Sequence, residues 1–334
     1  MSENSERLTV NWAALVAEAI RRRKAEGLTQ KALAALAGLS APTLIDFERG
    51  ETTLSLGKAF DILRVLGLLA EPSGTGAREN FAREAYARWR TLTEKLSERS
   101  PARFPDGSYR IDYSLSGDLK RVDPHQLLDL LPKAVPHHTG WPPFWVPTRP
   151  EIAPREVDGV IECWLAPEET GIERMGEACA HCDFWRAAPT GHMFLIRGYQ
   201  EDGQETFPPG TLFDTTLAIW RLGEALIHAA RLARLMAKNL DSVTLDFRAI
   251  YSGLKGRELR SWANPLGGLL TVEGQRGRSD EAVLEISMPA AAIESALDDY
   301  VLALTAPLYE RFGVTLSKAS VANELARMRH ANQR

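Results

Sequence analysis

The sequence is poor in cysteine, in excess charge and in long hydrophobic runs. Its three cysteines are an odd number and too few for a disulfide scaffold, which favours a reducing cytoplasm. No apolar run approaches the ~20 residues that span a bilayer, and the polar start MSENSERLTV lacks a signal core. We therefore expect a cytoplasmic protein with no membrane partner.

Motifs for catalysis are missing as well. The chain has no Gly-x-Gly-x-x-Gly, no Walker loop, no Gly-x-Ser-x-Gly elbow and no zinc-deaminase signature. The pair His137-His138 has no neighbouring carboxylate that would complete a ligand set. We expect no enzymatic activity and no cofactor.

One cluster has the residue types of a metal site, namely Cys179 and Cys182 with Cys163 and His192 elsewhere in the sequence. A structural zinc is usually held by two close pairs of ligands, and here the second pair is missing. Zinc binding, a redox-active Cys-x-x-Cys and ordinary packing all remain open. We expect packing and no metal.

Charge is small overall and unevenly distributed. The 334 residues carry a net charge of −4, and an apolar share of 44% is ordinary for globular proteins. Residues 1–70 carry nine Lys/Arg against eight Asp/Glu, whereas residues 100–334 carry 25 against 31. The chain is long enough for two or three domains, and its N-terminal part is the less acidic.

The segment Leu28–Gly50 is the most informative stretch that is present. Thr29 is a good N-cap for a helix whose apolar residues are Leu33, Leu36 and Ala37, and Gly38 suits the turn that ends it. A second helix follows, capped by Ser40, with Pro42 in its first turn and Leu44 and Phe47 on a buried face; its outward residues are Ala41, Pro42, Thr43 and Asp46. Two short helices of this kind enter a DNA major groove, although a related fold also serves protein contact.

This segment resembles the Cro/cI-type (XRE) DNA-binding domains of bacterial and phage regulators. The matching positions are Gln30, Ala34, Gly38, Ser40, Pro42, Thr43, Glu48, Arg49 and Gly50, and flanking helices extend the resemblance to about residues 8–69. The resemblance implies that Gln30 binds a phosphate and that Ala41, Pro42, Thr43 and Asp46 face base edges. It also implies that Arg23 pairs with Glu48 beneath the recognition helix. At position 41 this sequence has alanine. A Gln or Arg there could make two hydrogen bonds to one base and would discriminate between bases better.

A basic run, Arg21, Arg22, Arg23 and Lys24, ends the first helix and suits phosphate contacts, although such runs are also solvated helix faces. With Gln30, Ser40 and Arg49, it completes the predicted phosphate-binding set. A single domain of this kind is expected to bind DNA with modest affinity. This favours a homodimer on a two-fold double-stranded DNA operator.

The sequence predicts three regions: an all-α helix-turn-helix domain at 1–70, a linker and connecting amphipathic helix at 71–100, and a mixed α/β (α+β) domain at 101–334. The fourth helix of the first domain is expected at about 55–66, and the connecting helix at about 77–98. That helix has one apolar seam, which either packs on the following domain or dimerises: Phe81, Ala85, Trp89, Leu92 and Leu96.

Regular elements alternate through the third region. Strands are expected at 109–115, 158–165, 192–199, 242–251 and up to 262, and a hairpin is expected between 269–272 and 282–288. Helices are expected at 124–131, 216–238, 290–312 and 318–330. Residues 140–150 are too rich in proline to form a regular helix.

Aromatic residues in loops suggest a small-molecule or nucleic-acid effector. Trp141, Phe144 and Trp145 share one irregular segment and Phe184 and Trp185 another, with Arg149, Arg186 or Arg197 as the charged contact. Such residues form a ligand cleft or simply cover the core. The predicted ligand set is Trp141, Phe144, Trp145, Trp185 and Arg197.

Several stretches of the third region are similar to the C-terminal body of certain bacterial regulators, which follows a helix-turn-helix or an AlbA-like head. They are GWPPFW, DGVIECWL, CDFWR, FLIRGYQED and IWRLGEALIHAARLAR. The similarity implies a sensory or assembly role, without a reaction.

Together these features predict a homodimeric transcription regulator, a repressor or autoregulator, whose third region senses a ligand or mediates assembly. Two alternatives stay open. One is an enzyme recruited to DNA, either a metal-dependent hydrolase or a nucleotide-modifying enzyme. The other is an antitoxin-like autoregulator that binds a partner protein.

Overall fold

The computed structural model describes residues 11–37, 39–52, 54, 56–66, 68, 75–165, 181–263 and 272–330. It divides the chain into two compact units, residues 1–73 and residues 74–334. Each unit has its own hydrophobic core. No helix within the described ranges is long and apolar enough to cross a membrane.

The first unit is helical, and side-chain caps start its helices. Asn11, Thr29 and Ser40 each accept a hydrogen bond from the backbone N–H three residues later, at 3.1, 3.0 and 3.4 Å. These bonds satisfy amides that a helix start leaves without partners. The helices are α1 (Trp12–Ala25), α2 (Gln30–Leu36), α3 (Ala41–Glu48) and α4 (Leu56–Val65).

Helix α3 packs on α1 and α2 through the face that the sequence predicts. Leu44 and Phe47 are fully buried, together with Leu33 of α2. Burial of such side chains contributes roughly 1.5–3 kcal/mol each, which is enough to hold an eight-residue helix in place. The predicted turn residue Gly38 and the side chain of Leu36 lie outside what the structure describes. The two predicted helices, their caps at Thr29 and Ser40 and the buried face of α3 are confirmed.

The second unit is built on a seven-stranded antiparallel sheet with the strand order β2-β3-β4-β5-β1-β7-β9. A short parallel pair, β6 and β8, lies apart from it. The strands are β1 (Ser108–Ser116), β2 (Arg155–Val157), β3 (Val160–Trp164), β4 (Phe184–Ala187), β5 (His192–Gly198), β6 (Leu212–Asp214), β7 (Thr244–Ser252), β8 (Glu258–Arg260) and β9 (Ala282–Pro289).

Helices cover both faces of this sheet. Four of them share one large core with one face: α6 (Pro124–Ala134), α7 (Leu217–Met236), α8 (Leu297–Glu310) and α9 (Lys318–His330). Helix α7 is buried along most of its 20 residues. Its Gly223 lies so close to α9 that a Cβ there would be 2.6 Å from Leu325 Cδ2. Small residues on α7 therefore set how closely the helices pack.

Helix α5 (Thr75–Thr93) covers the opposite face of the sheet. Its Ala85 and Trp89 are buried with Phe184, Phe194 and Ile196. The apolar seam of this helix was expected either to pack on the following domain or to form a dimer interface. The structure shows it packed on the chain's own sheet. The helix also ends five residues earlier than expected and belongs to the second compact unit.

Most predicted elements of the third region occur as expected, and α9 spans the predicted residues. Strand β9 pairs with β7; of its expected hairpin partner, 269–272, residues 269–271 lie outside the described residues, so the hairpin stays a prediction. Two expectations were wrong. Helix α8 begins at Leu297, after a 3-10 turn at Ala290–Ala292. Phe184 and Trp185 lie in β4, not in a loop, because helices cover both faces of the sheet and all four residues of this strand are buried.

Replacing Trp89 with alanine is expected to destabilise the second unit by about 3–5 kcal/mol, because the indole stacks on Phe104 at 5.6 Å and fills the core under α5. Denaturant unfolding followed by circular dichroism measures the loss, with the exposed Arg90→Ala of the same helix as control. An unchanged stability with a changed oligomeric state would favour dimerisation through this seam instead.

Candidate functional site

A buried ion pair holds the recognition helix from below. Arg23 Nε and Nη2 donate to the two carboxylate oxygens of Glu48 at 2.5 and 3.0 Å, and Nη1 donates to the Leu28 carbonyl at 2.9 Å. Both side chains are largely buried. The pairing that the resemblance implied is confirmed, and it fastens the end of α3 to the last turn of α1.

Gln30 joins this pair, since its Nε2 donates to Glu48 Oε2 at 2.6 Å. Burial alone would raise the pKa of Glu48, but the hydrogen bonds from Arg23 and Gln30 bring it below its ordinary value. The carboxylate therefore stays ionised at neutral pH. The Gln30 amide thus has a structural contact, and its predicted phosphate contact stays a prediction.

The basic run at the end of α1 does not act as one surface. Arg23 points into the fold, whereas Arg21, Arg22 and Lys24 are exposed or nearly so. Arg21 pairs with Glu18 at 2.5 Å, and Arg22 lies 3.5 Å from Glu26. The structure removes Arg23 from the surface that a phosphate could reach, because its guanidinium is occupied by partners inside the unit.

The outward face of α3 carries small side chains. Pro42 and Asp46 are exposed and Ala41 and Thr43 are half-buried, as the pattern predicted. The Thr43 hydroxyl lies 2.8 Å from that of Ser40, so it takes part in the cap. Arg49 is exposed at the end of the helix. Hydrogen-bonding capacity toward a groove is therefore concentrated at Asp46.

A contact that the sequence did not predict also fixes the C-terminal end of α3. Trp12 packs edge-on against Phe47, with ring centroids 5.5 Å apart, and its Nε1 donates to the Gly50 carbonyl at 3.0 Å. Gly50 has φ +82°, which favours glycine in the signature Glu-Arg-Gly. Trp12 is the first residue of α1 and lies outside the Leu28–Gly50 motif.

In the second unit, the predicted ligand residues separate into two groups. Phe144 and Trp185 are fully buried in the core, and Trp185 Nε1 donates to the Trp145 carbonyl at 2.9 Å. Their assignment to a ligand cleft was wrong, because both rings are enclosed by the sheet and its helices. Trp141 and Arg197, in contrast, line a cavity, and Trp145 packs against Trp141 at 4.9 Å.

This cavity lies between the sheet and the N-terminal end of α7. Its interior volume is about 30 Å³, room for a small polar group, within about 430 Å³ of space that includes open solvent. A wider cleft adjoins it, and Trp141, His181 and Arg221 line both. The described lining residues are Tyr109, Trp141, His181, Arg197, Gly198, Tyr199, Gln200, Glu201, Phe213, Asp214, Leu217, Ala218, Arg221 and Tyr251.

Two buried arginines hold the irregular 139–145 segment over the cavity. Arg197 pairs with Asp183 and donates to the Trp141 and Pro142 carbonyls at 3.1 and 3.0 Å. Arg221 donates to the same Trp141 carbonyl at 2.7 Å and pairs with Glu224. Burial would lower the pKa of Arg197, but Asp183 outweighs it, and the net shift is upward.

Two carboxyl groups of the cavity lack a cationic partner within the described residues. Asp214 instead accepts four backbone N–H bonds, from residues 216, 217, 262 and 263, at 2.7–2.8 Å. Glu201 accepts one, from Asp214 N at 2.9 Å. Burial, together with the charge of Asp214, raises the pKa of Glu201 to about 7. Sequence reasoning missed Glu201, since an acid in a Glu-Asp-Gly turn is usually solvated.

The metal candidates do not converge. Cys163 packs in the core on the α7 side, where its thiol donates to the Ile152 carbonyl at 3.4 Å, and Cys182 lies in the core under α5. His192 Nδ1 lies 2.8 Å from the Thr190 hydroxyl. Cys179 lies outside the described residues, and within the described ones no group of three metal-binding side chains forms. Cys163 and Cys182 cannot share a metal ion, because they occupy opposite faces of the sheet.

Comparison with known families agrees with the first unit's geometry. Residues 20–70 match the family model described as helix-turn-helix, of the XRE kind, consistent with a Cro/cI-type domain. The match supports a DNA-binding regulator of the XRE kind. No curated protein matches the chain.

Replacing Glu48 with alanine is expected to destabilise the first unit by roughly 1–3 kcal/mol, because it leaves the Arg23 charge without a partner in the interior. Hydrogen exchange of the α1 and α3 amides measures the effect locally. The exposed Glu51→Ala is the matched control. Equal exchange in both variants would show that the ion pair does not hold α3.

Replacing Glu201 with glutamine is expected to stabilise the second unit at pH 8 but not at pH 5. The folded-state pKa of about 7 exceeds the ordinary value of 4.5, so the stability contributed by the protonated acid is lost as the pH rises through about 7. Glutamine removes that loss, on the order of 1–3 kcal/mol. Thermal unfolding at both pH values measures it, with the exposed Glu281→Gln as control; a gain at pH 5 alone would contradict the raised pKa.

Proposed function

We propose that this protein is a transcription repressor or autoregulator that binds a two-fold double-stranded DNA operator as a homodimer. The outward face of α3 carries the proposal: it is exposed, it is held from below by the Arg23–Glu48 pair, and its side chains are small enough for close approach to base edges. Arg21, Arg22, Lys24 and Arg49 supply the phosphate contacts.

The α3 helix of a single chain offers few side chains that discriminate between base sequences. This supports binding as a dimer. Ala41 and Pro42 have no side-chain donor or acceptor, and the Thr43 hydroxyl is engaged with Ser40. Asp46 can accept a hydrogen bond from a cytosine amino group. Two copies double these contacts, and a two-fold arrangement fixes the spacing of their half-sites.

The second unit supplies dimerisation and an input. We propose that it binds a ligand without converting it, because the carboxylate oxygens of Asp214 are saturated by backbone amides and its arginines Arg197 and Arg221 are already paired. A ligand alters operator affinity only through different affinities for two states of the protein. The cavity at α7 is the proposed place for that difference.

Selection from random duplexes with the full-length chain tests this proposal. We expect a two-fold site with half-site centres ~34 Å apart, occupied by two chains as measured by light scattering. A monomer that binds one half-site with full affinity would contradict the homodimer. Binding without any sequence preference would contradict the operator.

Replacing Lys24 with alanine is expected to weaken binding to all sequences about equally, and to reduce the slope of log affinity against log salt by about one. Asp46→Asn is expected instead to change the preferred base at one position of each half-site. Fluorescence anisotropy over a salt series separates the two effects. The exposed Lys133→Ala, outside the matched domain, is the control; a sequence-dependent loss in Lys24→Ala would move Lys24 from phosphate to base contact.

A further inference from the structure

The cavity beside α7 contains a buried polar group without a partner. The hydroxyl of Tyr251 makes no hydrogen bond within the described residues, although its side chain is only 2% exposed; the hydroxyl of Tyr109, 5% exposed, has the Arg197 guanidinium as its neighbour. The charged groups that act on the Tyr251 hydroxyl are Arg221 and Glu201, which line the same cavity. A buried hydroxyl without a partner costs roughly 1–3 kcal/mol, so a bound polar group there would be stabilised.

The charges around the cavity show what sign of ligand it favours. Three arginines each form an ion pair with an acidic side chain: Arg197 with Asp183, Arg221 with Glu224 and Arg257 with Asp202. The charge of Asp214 is distributed over four backbone amides. Glu201 is left with one backbone amide and no ion pair within the described residues. The group without a counter-charge is therefore negative.

The other titratable groups do not change this sign. Burial lowers the pKa of His181, so its ring is neutral at pH 8. Burial also raises the pKa of Tyr251 and of Tyr109, so both hydroxyls keep their protons and can accept from a donor. At pH 8 Glu201 is ionised, and the cation that acts on it, Arg257, is already paired with Asp202.

Aromatic rings line the same cavity as this carboxyl. The rings of Tyr109 and Tyr251 stack with centroids 5.5 Å apart, and Tyr199 stacks on Tyr251 at 6.3 Å. Arg257 already lies over the Tyr199 ring, 4.5 Å from its centroid. Ring faces attract cations and accommodate flat apolar bodies.

We propose that this cavity binds a small amine: a compound with a protonated nitrogen that pairs with Glu201, and with a flat apolar body that extends past Trp141 into the adjoining wider cleft. An ammonium group has N–H donors for the carboxylate and for the hydroxyl oxygen of Tyr251. The inference rests on the proposed ligand input and gives it a site and a ligand class.

Three probes of nearly the same shape test the sign of the charge: phenethylamine, phenethyl alcohol and phenylacetate. Each is titrated into the full-length protein at pH 8 without DNA, followed by calorimetry and by tryptophan fluorescence. We expect the amine to bind roughly ten-fold tighter than the alcohol, and the acid to bind more weakly than either. An amine no tighter than the alcohol, or an acid that binds best, would overturn the proposal.

Variants assign the preference to residues. Glu201→Gln is expected to reduce the affinity for the amine to that for the alcohol, and Tyr251→Phe to weaken amine binding several-fold, whereas the exposed Glu281→Gln keeps the wild-type preference. The stability of Glu201→Gln at pH 8 shows separately that this variant folds. An amine preference that persists in Glu201→Gln would overturn the assignment of Glu201.

The ligand site and the regulatory role can fail separately. Operator affinity is measured with and without phenethylamine for the wild type and for Glu201→Gln. An amine that binds the wild type in calorimetry but leaves its operator affinity unchanged supports the site and overturns the proposed input. A change of operator affinity equal in the wild type and in Glu201→Gln would overturn the site as its source.

Discussion

The fully buried pair of Arg197 and Asp183 is the constraint on which the second unit depends. Isolated, either charge would be prohibitively costly in the interior; together they are compensated, and the remaining N–H groups of the arginine go to the Trp141 and Pro142 carbonyls. An irregular, proline-rich segment is thereby fixed against the sheet, where it could not satisfy its own backbone. Arg221 of α7 binds the same Trp141 carbonyl, so this segment forms one wall of the cavity.

Local patterns in the sequence predicted the parts of the structure that local interactions determine. The caps at Thr29 and Ser40, the buried face of α3 and the bounds of α9 all depend on neighbours within a few residues. Arg23 shows the limit, because a basic run indicates a charged surface and cannot reveal which member turns inward to Glu48. Only the family signature identified that pair.

The cavity could not be read from the sequence, because its walls come from distant parts of the chain. Tyr109 and Tyr251 become neighbours only when β1 pairs with β7, and Glu201 is added by the turn after β5. Of the predicted aromatic cluster, Trp141 lines the cavity, whereas Phe144 and Trp185 are buried in the core. Periodicity distinguishes buried from exposed positions, and it does not distinguish a core from the wall of a cavity.

The way α3 is fastened has a consequence for how such a regulator diversifies. Leu44, Phe47 and Glu48 hold the helix from its inner side, while the side chains of Ala41, Pro42 and Asp46 take no part in that attachment. Substitutions at these three outer positions therefore leave the scaffold intact. During evolution, such substitutions can change the DNA sequence that the domain prefers, while the residues that determine its fold stay the same.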